Sequence, residues 1–152
     1  MRKILNDENN YWDNYYGHLR KNTSQKMPPS QFAAFCCAEL MNKDINFLVD
    51  IAAGDGRDTI FFANQGFKVF ALDKSSKAVK LLSDQFMKHP DVQVLEMDAT
   101  KDKLPQSANF DFPHAYYARF FLHALEENYL IKFFNNLSKT MKCSDYFFAE
   151  YR

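Results

Sequence analysis

Short apolar segments alternate with amphipathic segments along this sequence, and that alternation constrains its fold more than any other feature. Five apolar segments have the composition of strands buried on both faces, at 46–52, 67–72, 92–97, 111–118 and 144–151. Four segments with helical spacing lie at 30–42, 57–65, 75–89 and 120–141. This order predicts an α/β fold in which helices cover both faces of a doubly wound parallel sheet through right-handed crossovers.

Residues at the element ends support these bounds. Ser30 and Ser75 are suited to cap two helix N-termini, and Gly66 and Pro90 are suited to end helices. The last helix is predicted to bury an apolar stripe formed by Leu130, Phe133, Phe134, Leu137 and Met141. The core is therefore expected to be packed largely with phenylalanine.

The length of 152 residues predicts one domain, with a helical lead-in or lid over 1–45 and a ligand-binding core over 46–152. Lysine plus arginine and aspartate plus glutamate number 19 each, so the net charge is zero. A protein that binds nucleic acid mainly through phosphates needs a basic excess, so this balance argues against a nucleic-acid partner.

The three cysteines indicate a reducing compartment. Cys36 and Cys37 are adjacent and Cys143 is distant, so neither a disulfide framework nor a C-x-x-C zinc site is indicated. The N-terminus lacks the apolar core of a signal peptide, and no segment is apolar for long enough to span a membrane. The sequence therefore predicts a cytoplasmic protein with no metal site and no membrane partner.

The stretch LVDIAAGDGRDT, residues 48–59, places two glycines directly after the first predicted strand. In doubly wound sheets, ligands bind at the carboxyl ends of strands, and the first strand–helix turn is the usual site. Gly54 and Gly56 lack Cβ atoms and permit positive φ, so a ligand can approach the main chain closely. The alternative is a tight turn that binds no ligand.

Acidic residues at three successive strand ends favour the ligand-binding interpretation. Asp73 is placed to accept hydrogen bonds from the two ribose hydroxyls of an adenosine-like ligand. Asp98 is placed to accept from the exocyclic amine of a base, while the Ala99 N–H donates to a ring nitrogen. Asp50 completes the set at the first strand.

The same turn argues against a dinucleotide. The G-x-G-x-x-G pattern requires a third glycine, and Thr59 stands at that position. Carboxylates at Asp50, Asp55 and Asp58 also make the turn a poor host for a pyrophosphate. They suit a ligand that carries positive charge, such as a sulfonium and an α-ammonium group.

These residues carry a family resemblance. VDIAAGDGRDT, FALDKS and LEMDAT resemble the first three motifs of the class I S-adenosylmethionine-dependent methyltransferases. YYARFFLHAL and the N-terminal YWDNYYGHLRKN resemble segments of the small-molecule members of that class. The resemblance implies a Rossmann-like sheet in the order 3-2-1-4-5, S-adenosylmethionine as cofactor and S-adenosylhomocysteine as product.

The resemblance also implies a set of cofactor-binding residues: Asp50, Ala52, Gly54, Gly56, Asp58, Asp73, Lys74, Asp98, Ala99 and Ala118. Ala52 replaces the usual first glycine of the motif. The family fold continues past strand five into a helix and an antiparallel strand pair that this sequence lacks. We therefore expect a truncated chain, or one whose sheet edge is completed by a second copy or another partner.

Methyl transfer from a sulfonium needs the acceptor held in line and close to the methyl group, with a base only where the acceptor carries a proton. His123 is the candidate base, and the alternative is a histidine that packs at the start of the last helix. Arg119 is suited to bind an anionic acceptor, and the alternative is an ion pair at the sheet end.

An aromatic cluster of Trp12, Tyr15 and Tyr16 is predicted to form a lid over cofactor or substrate, and the alternative is packing at the domain edge. The other histidines, His18, His89 and His114, lack ligand-like spacing and are interpreted as structural or exposed.

The predicted function is methyl transfer from S-adenosylmethionine to a small polar metabolite by in-line displacement. Two alternatives stay open at this point: a non-catalytic or truncated S-adenosylmethionine-binding module, and an NAD-dependent oxidoreductase, which the missing third glycine disfavours. Nucleic-acid methylation is disfavoured because no Asn/Asp-Pro-Pro-Tyr-type tetrapeptide follows the fourth strand.

Overall fold

A computed structural model of the protein describes residues 8–19, 28–106 and 112–151. Some predicted segments lie partly outside the described residues. These are residues 1–7 and 20–27 of the lead-in, residues 107–110 of the polar loop, and residue 111 at the start of the fourth strand segment. Residue 152 also lies outside them.

The described residues form five α-helices and five β-strands. The helices α1 to α5 are Glu8–Leu19, Gln31–Leu40, Arg57–Asn64, Ser76–Phe86 and Glu127–Thr140. The strands β1 to β5 are Phe47–Ile51, Lys68–Asp73, Val92–Glu96, Ala115–Arg119 and Tyr146–Glu150. Ser30 and Ser75 cap α2 and α4 as predicted, since their hydroxyls accept from the N–H groups of Ala33 and Ala78.

All five strands are parallel and lie in the order β3-β2-β1-β4-β5, which confirms the predicted fold class and topology. The central strand β1 pairs with β2 on one side and β4 on the other. The switch point of the sheet therefore lies at the carboxyl end of β1, where the glycine turn begins.

Alternation of side chains along the strands divides the core between the two faces of the sheet. One face carries Leu48 and Tyr117 and is covered by α2, α3 and α4. The other face carries Val49 and Tyr116 and packs against Phe133 of α5. Both tyrosines are buried, although they are neighbours in β4, because successive side chains point to opposite faces.

The last helix differs from its predicted range. Residues 120–126 are not part of α5: Leu122–Ala124 form one 3₁₀ turn, and Leu125 and Glu126 have extended backbones. Apolar side chains of this segment, including Phe121 and Leu125, pack under the sheet and hold it in that shape. Phe134 of the predicted buried stripe is 42% exposed.

Within the residues that the structure describes, no helix is long and apolar enough to cross a membrane.

Candidate functional site

Three acidic residues meet at the carboxyl edge of the sheet, as the sequence predicts. Asp50 is the penultimate residue of β1, Asp73 is the last residue of β2, and Asp98 lies two residues beyond the end of β3. Because the strands are parallel neighbours, their carboxyl ends converge on one side of the sheet.

The turn between β1 and α3 has an unusual backbone. Ala52, Gly54 and Gly56 all have positive φ, at 59°, 60° and 77°. Glycine adopts this left-handed conformation freely, whereas at Ala52 it costs about 1–2 kcal/mol. The structure thus shows why the family motif has glycine where this chain has Ala52.

The two glycines of the turn have different neighbours. A Cβ atom at Gly56 would lie 2.7 Å from Leu82 Cδ2 and 2.8 Å from Phe86 Cε2, so this glycine allows α4 to pack against the turn. A Cβ atom at Gly54 would instead lie 2.5 Å from the hydroxyl of Tyr16 on α1. Packing of α4 thus explains Gly56, whereas Gly54 lies against the end of the Tyr16 side chain.

Asp73 organises the glycine turn from the neighbouring strand. Its carboxylate accepts hydrogen bonds from the Gly54 N–H at 3.0 Å and from the Ser75 N–H at 2.9 Å. Burial raises the pKa of Asp73, and these two hydrogen bonds oppose that increase. Each oxygen keeps a second lone pair with which to accept from a ligand hydroxyl.

Asp50 is buried under the same turn, and the Thr59 hydroxyl donates to it at 2.6 Å. Burial raises the pKa of Asp50 to about 8, the hydrogen bond from Thr59 opposes this, and the carboxylates of Asp58, Asp73 and Asp55 add to it. Thr59, which in the sequence marks only a missing glycine, therefore holds the buried Asp50 carboxylate in place.

The free energy of unfolding should fall as pH rises from 6 to 8. The folded-state pKa of Asp50 lies well above its ordinary value of 3.8, so the folded protein binds this proton more tightly than the unfolded chain does. The loss is at most about 1.4 kcal/mol per pH unit. Urea unfolding at several pH values should show a flatter dependence for Asp50→Asn, and equal slopes for the two proteins would contradict the expectation.

Asp98 lies in a hydrogen-bonded loop after β3. Burial acts to raise its pKa, but hydrogen bonds from the N–H and hydroxyl of Thr100 and from Lys101 outweigh burial and lower it. Asp98 is therefore ionised and acts as an acceptor.

A cavity of about 240 Å³ opens beside this loop, at the carboxyl ends of β2 and β3. It is lined by Lys74, Glu96, Met97, Asp98 and Asp102. Lys74 and Asp98, two of the predicted cofactor-binding residues, thus share one cavity.

Asn136 of α5 is a site residue that the sequence analysis missed. Its side-chain amide donates to the carbonyl of Ala99 at 2.8 Å and to the carbonyl of Asp102 at 2.6 Å. These two hydrogen bonds fix the backbone of the loop after β3, including the backbone of the buried Ala99. An asparagine on a helix gives no sequence signal for such a contact.

Asp58, a predicted cofactor-binding residue, has three protein donors. Its carboxylate accepts from the Ser30 N–H, the Ser30 hydroxyl and the Tyr117 hydroxyl, each at 2.8 Å. The structure therefore shows Asp58 connecting the start of α2 to the first turn of α3 and to β4.

The end of β4 and the 3₁₀ turn that follows it carry the two predicted catalytic side chains. Arg119 donates from Nε to Glu150 Oε2 at 2.8 Å, and its guanidinium lies 4.2 Å from the ring centroid of Phe120. This is the sheet-end ion pair, one of the two alternatives for Arg119. His123 is exposed on the 3₁₀ turn, with its ring 5.9 Å from that of Phe120. Ala118 is fully buried one residue before Arg119.

Helix α1 brings only part of the predicted aromatic lid to the site. Tyr16 reaches Gly54, Trp12 stacks on Tyr16 with ring centroids 6.1 Å apart, and Tyr15 is 49% exposed. Burial and the carboxylates of Asp73 and Asp55 raise the pKa of Tyr16, so its hydroxyl stays protonated beside the acidic turn.

The remaining three histidines lie at separate places in the fold. His18 is exposed and hydrogen-bonds the carbonyl of Asn14 at 2.6 Å. His89 lies after α4, and His114 is buried against Asp145, 3.5 Å from its carboxylate, at the amino end of β4. In the described ranges no group of histidine, cysteine and acidic side chains is arranged to hold a metal ion.

Comparison with known families places this site in context. A sequence profile described as "Methyltransferase domain" matches residues 48–143, more than half of the chain. The chain belongs to this methyltransferase domain family. The matched range contains the glycine turn, Asp73, Asp98, Arg119 and His123. Among curated proteins, no sequence match to this methyltransferase chain was found.

Solved structures resemble this methyltransferase chain over most of its length. DhpI in the "DhpI-SAM-HEP complex" matches 97% of this chain and 66% of its own, with a TM-score of 0.68 and 13% identity. A SAM-dependent methyltransferase from Aquifex aeolicus matches 86% and 67%, with a TM-score of 0.61 and 19% identity.

The Burkholderia thailandensis 1,6-didemethyltoxoflavin-N1-methyltransferase, with bound 1,6-didemethyltoxoflavin and S-adenosylhomocysteine, matches 92% of this chain and 59% of its own, with a TM-score of 0.67 and 17% identity. At such identities the likeness establishes the Rossmann-like methyltransferase fold. This chain spans about three-fifths to two-thirds of the length of these three proteins.

Proposed function

We propose that this chain binds S-adenosylmethionine and transfers its methyl group to a small polar metabolite, leaving S-adenosylhomocysteine. One observation carries the proposal: the Gly54 turn, the Asp73 carboxylate and the cavity lined by Lys74 and Asp98 lie along one edge of the sheet of a methyltransferase-family protein. The edge thus offers separate places for an amino acid part, a ribose and a base.

The residues fit this cofactor by their chemistry. Asp73 would accept from the ribose hydroxyls, since its bonds to Gly54 and Ser75 leave lone pairs on both oxygens. Lys74, Asp98 and the Ala99 N–H would contact the adenine. The amino acid part would lie on the backbone of Gly54.

The remaining proposed cofactor residues act close to or beneath this surface. Asp50 would approach the amino group, directly or through water, and Ala52 and Ala118 would border the methionine end. Gly56 and Asp58 would act through the shape of the turn, because their neighbours in the structure are protein side chains.

The electrostatics favour a cationic ligand over a pyrophosphate. Asp50, Asp55, Asp58 and Asp73 surround the turn, and the hydrogen bond from Thr59 to Asp50 uses the position where a dinucleotide site needs glycine. A sulfonium or an ammonium close to Asp50 would favour the ionised form of this buried carboxyl, and the carboxylates around the turn would attract such cations and repel phosphates.

When bound, S-adenosylmethionine supplies a methyl group that its positive sulfur already activates. The chain has to hold the acceptor atom in line with the methyl–sulfur bond and to keep the acceptor from binding in other orientations. His123 is proposed to take a proton from the acceptor where one must leave, because a neutral imidazole nitrogen can accept a proton. Arg119, oriented by Glu150, would hold a polar group of the acceptor through its remaining N–H donors.

A small polar acceptor agrees with the polar end of β4 and β5, where Arg119 and Glu150 face each other in register. The Burkholderia thailandensis neighbour has 1,6-didemethyltoxoflavin bound, and this supports a small-molecule acceptor here. Net charge zero gives no support for a nucleic-acid acceptor.

Calorimetric titration with S-adenosylmethionine, S-adenosylhomocysteine and NAD, in parallel, tests the cofactor. Both adenosyl ligands are expected to bind with micromolar Kd, and NAD is not. Asp73→Ala should weaken binding by roughly 100-fold or more, because it removes two hydrogen bonds to a charged acceptor and loosens the turn. Asp84→Ala, an exposed change on α4, is the matched control and should bind as the wild type does.

Binding of NAD alone would refute the proposal and favour the oxidoreductase. Tight S-adenosylmethionine binding with no methyl transfer to any member of a panel of small amines, alcohols and carboxylates would favour the non-catalytic module.

A further inference from the structure

We infer that Tyr16 is an internal gate of the cofactor site, and that Asp13 is the positioning residue that keeps the gate closed. The identity of the gated ligand rests on the proposed function. The geometry concerns three places where α1 meets the glycine turn and the start of α4: Tyr16 at Gly54, Asp13 at Ser75, and Gly17 beside Lys77.

Tyr16 occupies the space that opens above Gly54. From the position of a Gly54 Cβ, the Tyr16 hydroxyl oxygen is 2.5 Å away and Cζ is 3.3 Å away. Non-bonded heavy atoms normally stay about 3.5–4.0 Å apart. The end of the tyrosine ring therefore lies directly on the main chain of the turn, and a ligand seated on the same backbone requires Tyr16 to move.

Asp13 anchors the helix that carries Tyr16. Its carboxylate accepts a hydrogen bond from the Ser75 hydroxyl, one helical turn before Tyr16 on α1. Ser75 in turn caps α4 through Ala78 and donates its N–H to Asp73 at 2.9 Å. The anchor is thus attached directly to the carboxylate proposed to hold the ribose.

The fit of α1 on α4 extends to Gly17. A Cβ atom there would meet the Lys77 side chain at 3.5 Å, which is an ordinary contact distance. Alanine at this position would therefore be accommodated and would stiffen α1, since glycine is a poor helix former.

The inference has a quantitative consequence. Where only a fraction of molecules has the site open, the apparent Kd equals the intrinsic Kd divided by that fraction. Removing the gate or its anchor should therefore strengthen ligand binding. If Tyr16 instead contacted the bound cofactor, removing its side chain would weaken binding.

The test is binding of S-adenosylhomocysteine to the full chain, with Kd from calorimetry and association rates from stopped-flow fluorescence. Trp12 is the one tryptophan in the sequence and stacks on Tyr16, so its emission should change when the gate opens. Tyr16→Ala and Asp13→Ala should associate faster and bind roughly threefold to tenfold more tightly.

Three further variants sharpen the result. Asp13→Asn keeps an oxygen that accepts from Ser75 and should behave as the wild type. Gly17→Ala should slow association, because a firmer α1 opens less often. Tyr11→Ala changes an exposed tyrosine of the same helix and should leave the association rate unaltered.

Weaker binding by Tyr16→Ala would overturn the gate and make Tyr16 a wall of the occupied site, with the proposed function intact. Unchanged rates in both alanine variants, or a constant Trp12 emission on binding, would also overturn it. No binding by either the wild type or Tyr16→Ala would overturn the gate and the proposed function together.

Discussion

Gly56→Ala is expected to lower the free energy of unfolding by about 3 kcal/mol. The substitution places an L-residue at φ +77°, which costs about 1–2 kcal/mol. It also drives a methyl group to within 2.8 Å of Leu82 and Phe86, both buried, and such overpacking costs about 1–3 kcal/mol. Urea unfolding followed by circular dichroism measures the sum.

Gly66→Ala is the matched control for the conformational part of this loss. Gly66 has φ +93°, and a Cβ atom there would meet nothing within 4 Å. It should therefore lose only about 1–2 kcal/mol. An equal loss of unfolding free energy in the two variants would show that packing of Leu82 and Phe86 does not require glycine at position 56.

Tyr117→Phe is expected to cost about 1.5–3 kcal/mol, since it removes a buried hydrogen bond to a charged group. The Tyr117 hydroxyl donates to Asp58 at 2.8 Å, while the ring packs against Phe32 and Phe62 and would keep its place in the variant. The measurement is again urea unfolding, at neutral pH. A double-mutant cycle with Asp58→Asn should show a coupling of about 0.5–3 kcal/mol.

The neighbouring tyrosine provides the control. Tyr116 is as buried as Tyr117, but its hydroxyl has no hydrogen-bond partner among the described residues. Tyr116→Phe should therefore leave stability unchanged or raise it by up to about 1 kcal/mol. A loss as large as that of Tyr117→Phe would mean that Tyr116 has a partner, such as a buried water.

The fold was predictable because its signals are local. Strands buried on both faces appear as continuous apolar runs, and serine caps and a proline mark the helix ends, so the order of elements followed directly. The stretch after β4 was not predictable from periodicity. Its apolar residues continue the helical pattern, but packing of Phe121 under the sheet holds the chain in a 3₁₀ turn and an extended link.

The candidate site was predictable only where backbone topology alone places a residue. Strand ends converge in any parallel sheet, so Asp50, Asp73 and Asp98 could be grouped from the sequence. Contacts between side chains distant in sequence could not. Nothing local indicates that Tyr117 donates to Asp58, 59 residues away, or that Asn136 holds the backbone of Ala99.

The left-handed backbone at Ala52 has a consequence for how this chain can change. Alanine and glycine codons are separated by a single nucleotide, and glycine at this position would relax the conformation at the expense of one exposed methyl group. Replacement by a β-branched residue would crowd the same backbone further. A single nucleotide change to glycine at this codon therefore relieves the turn, whereas Gly54 and Gly56, which share its positive φ, are glycine already.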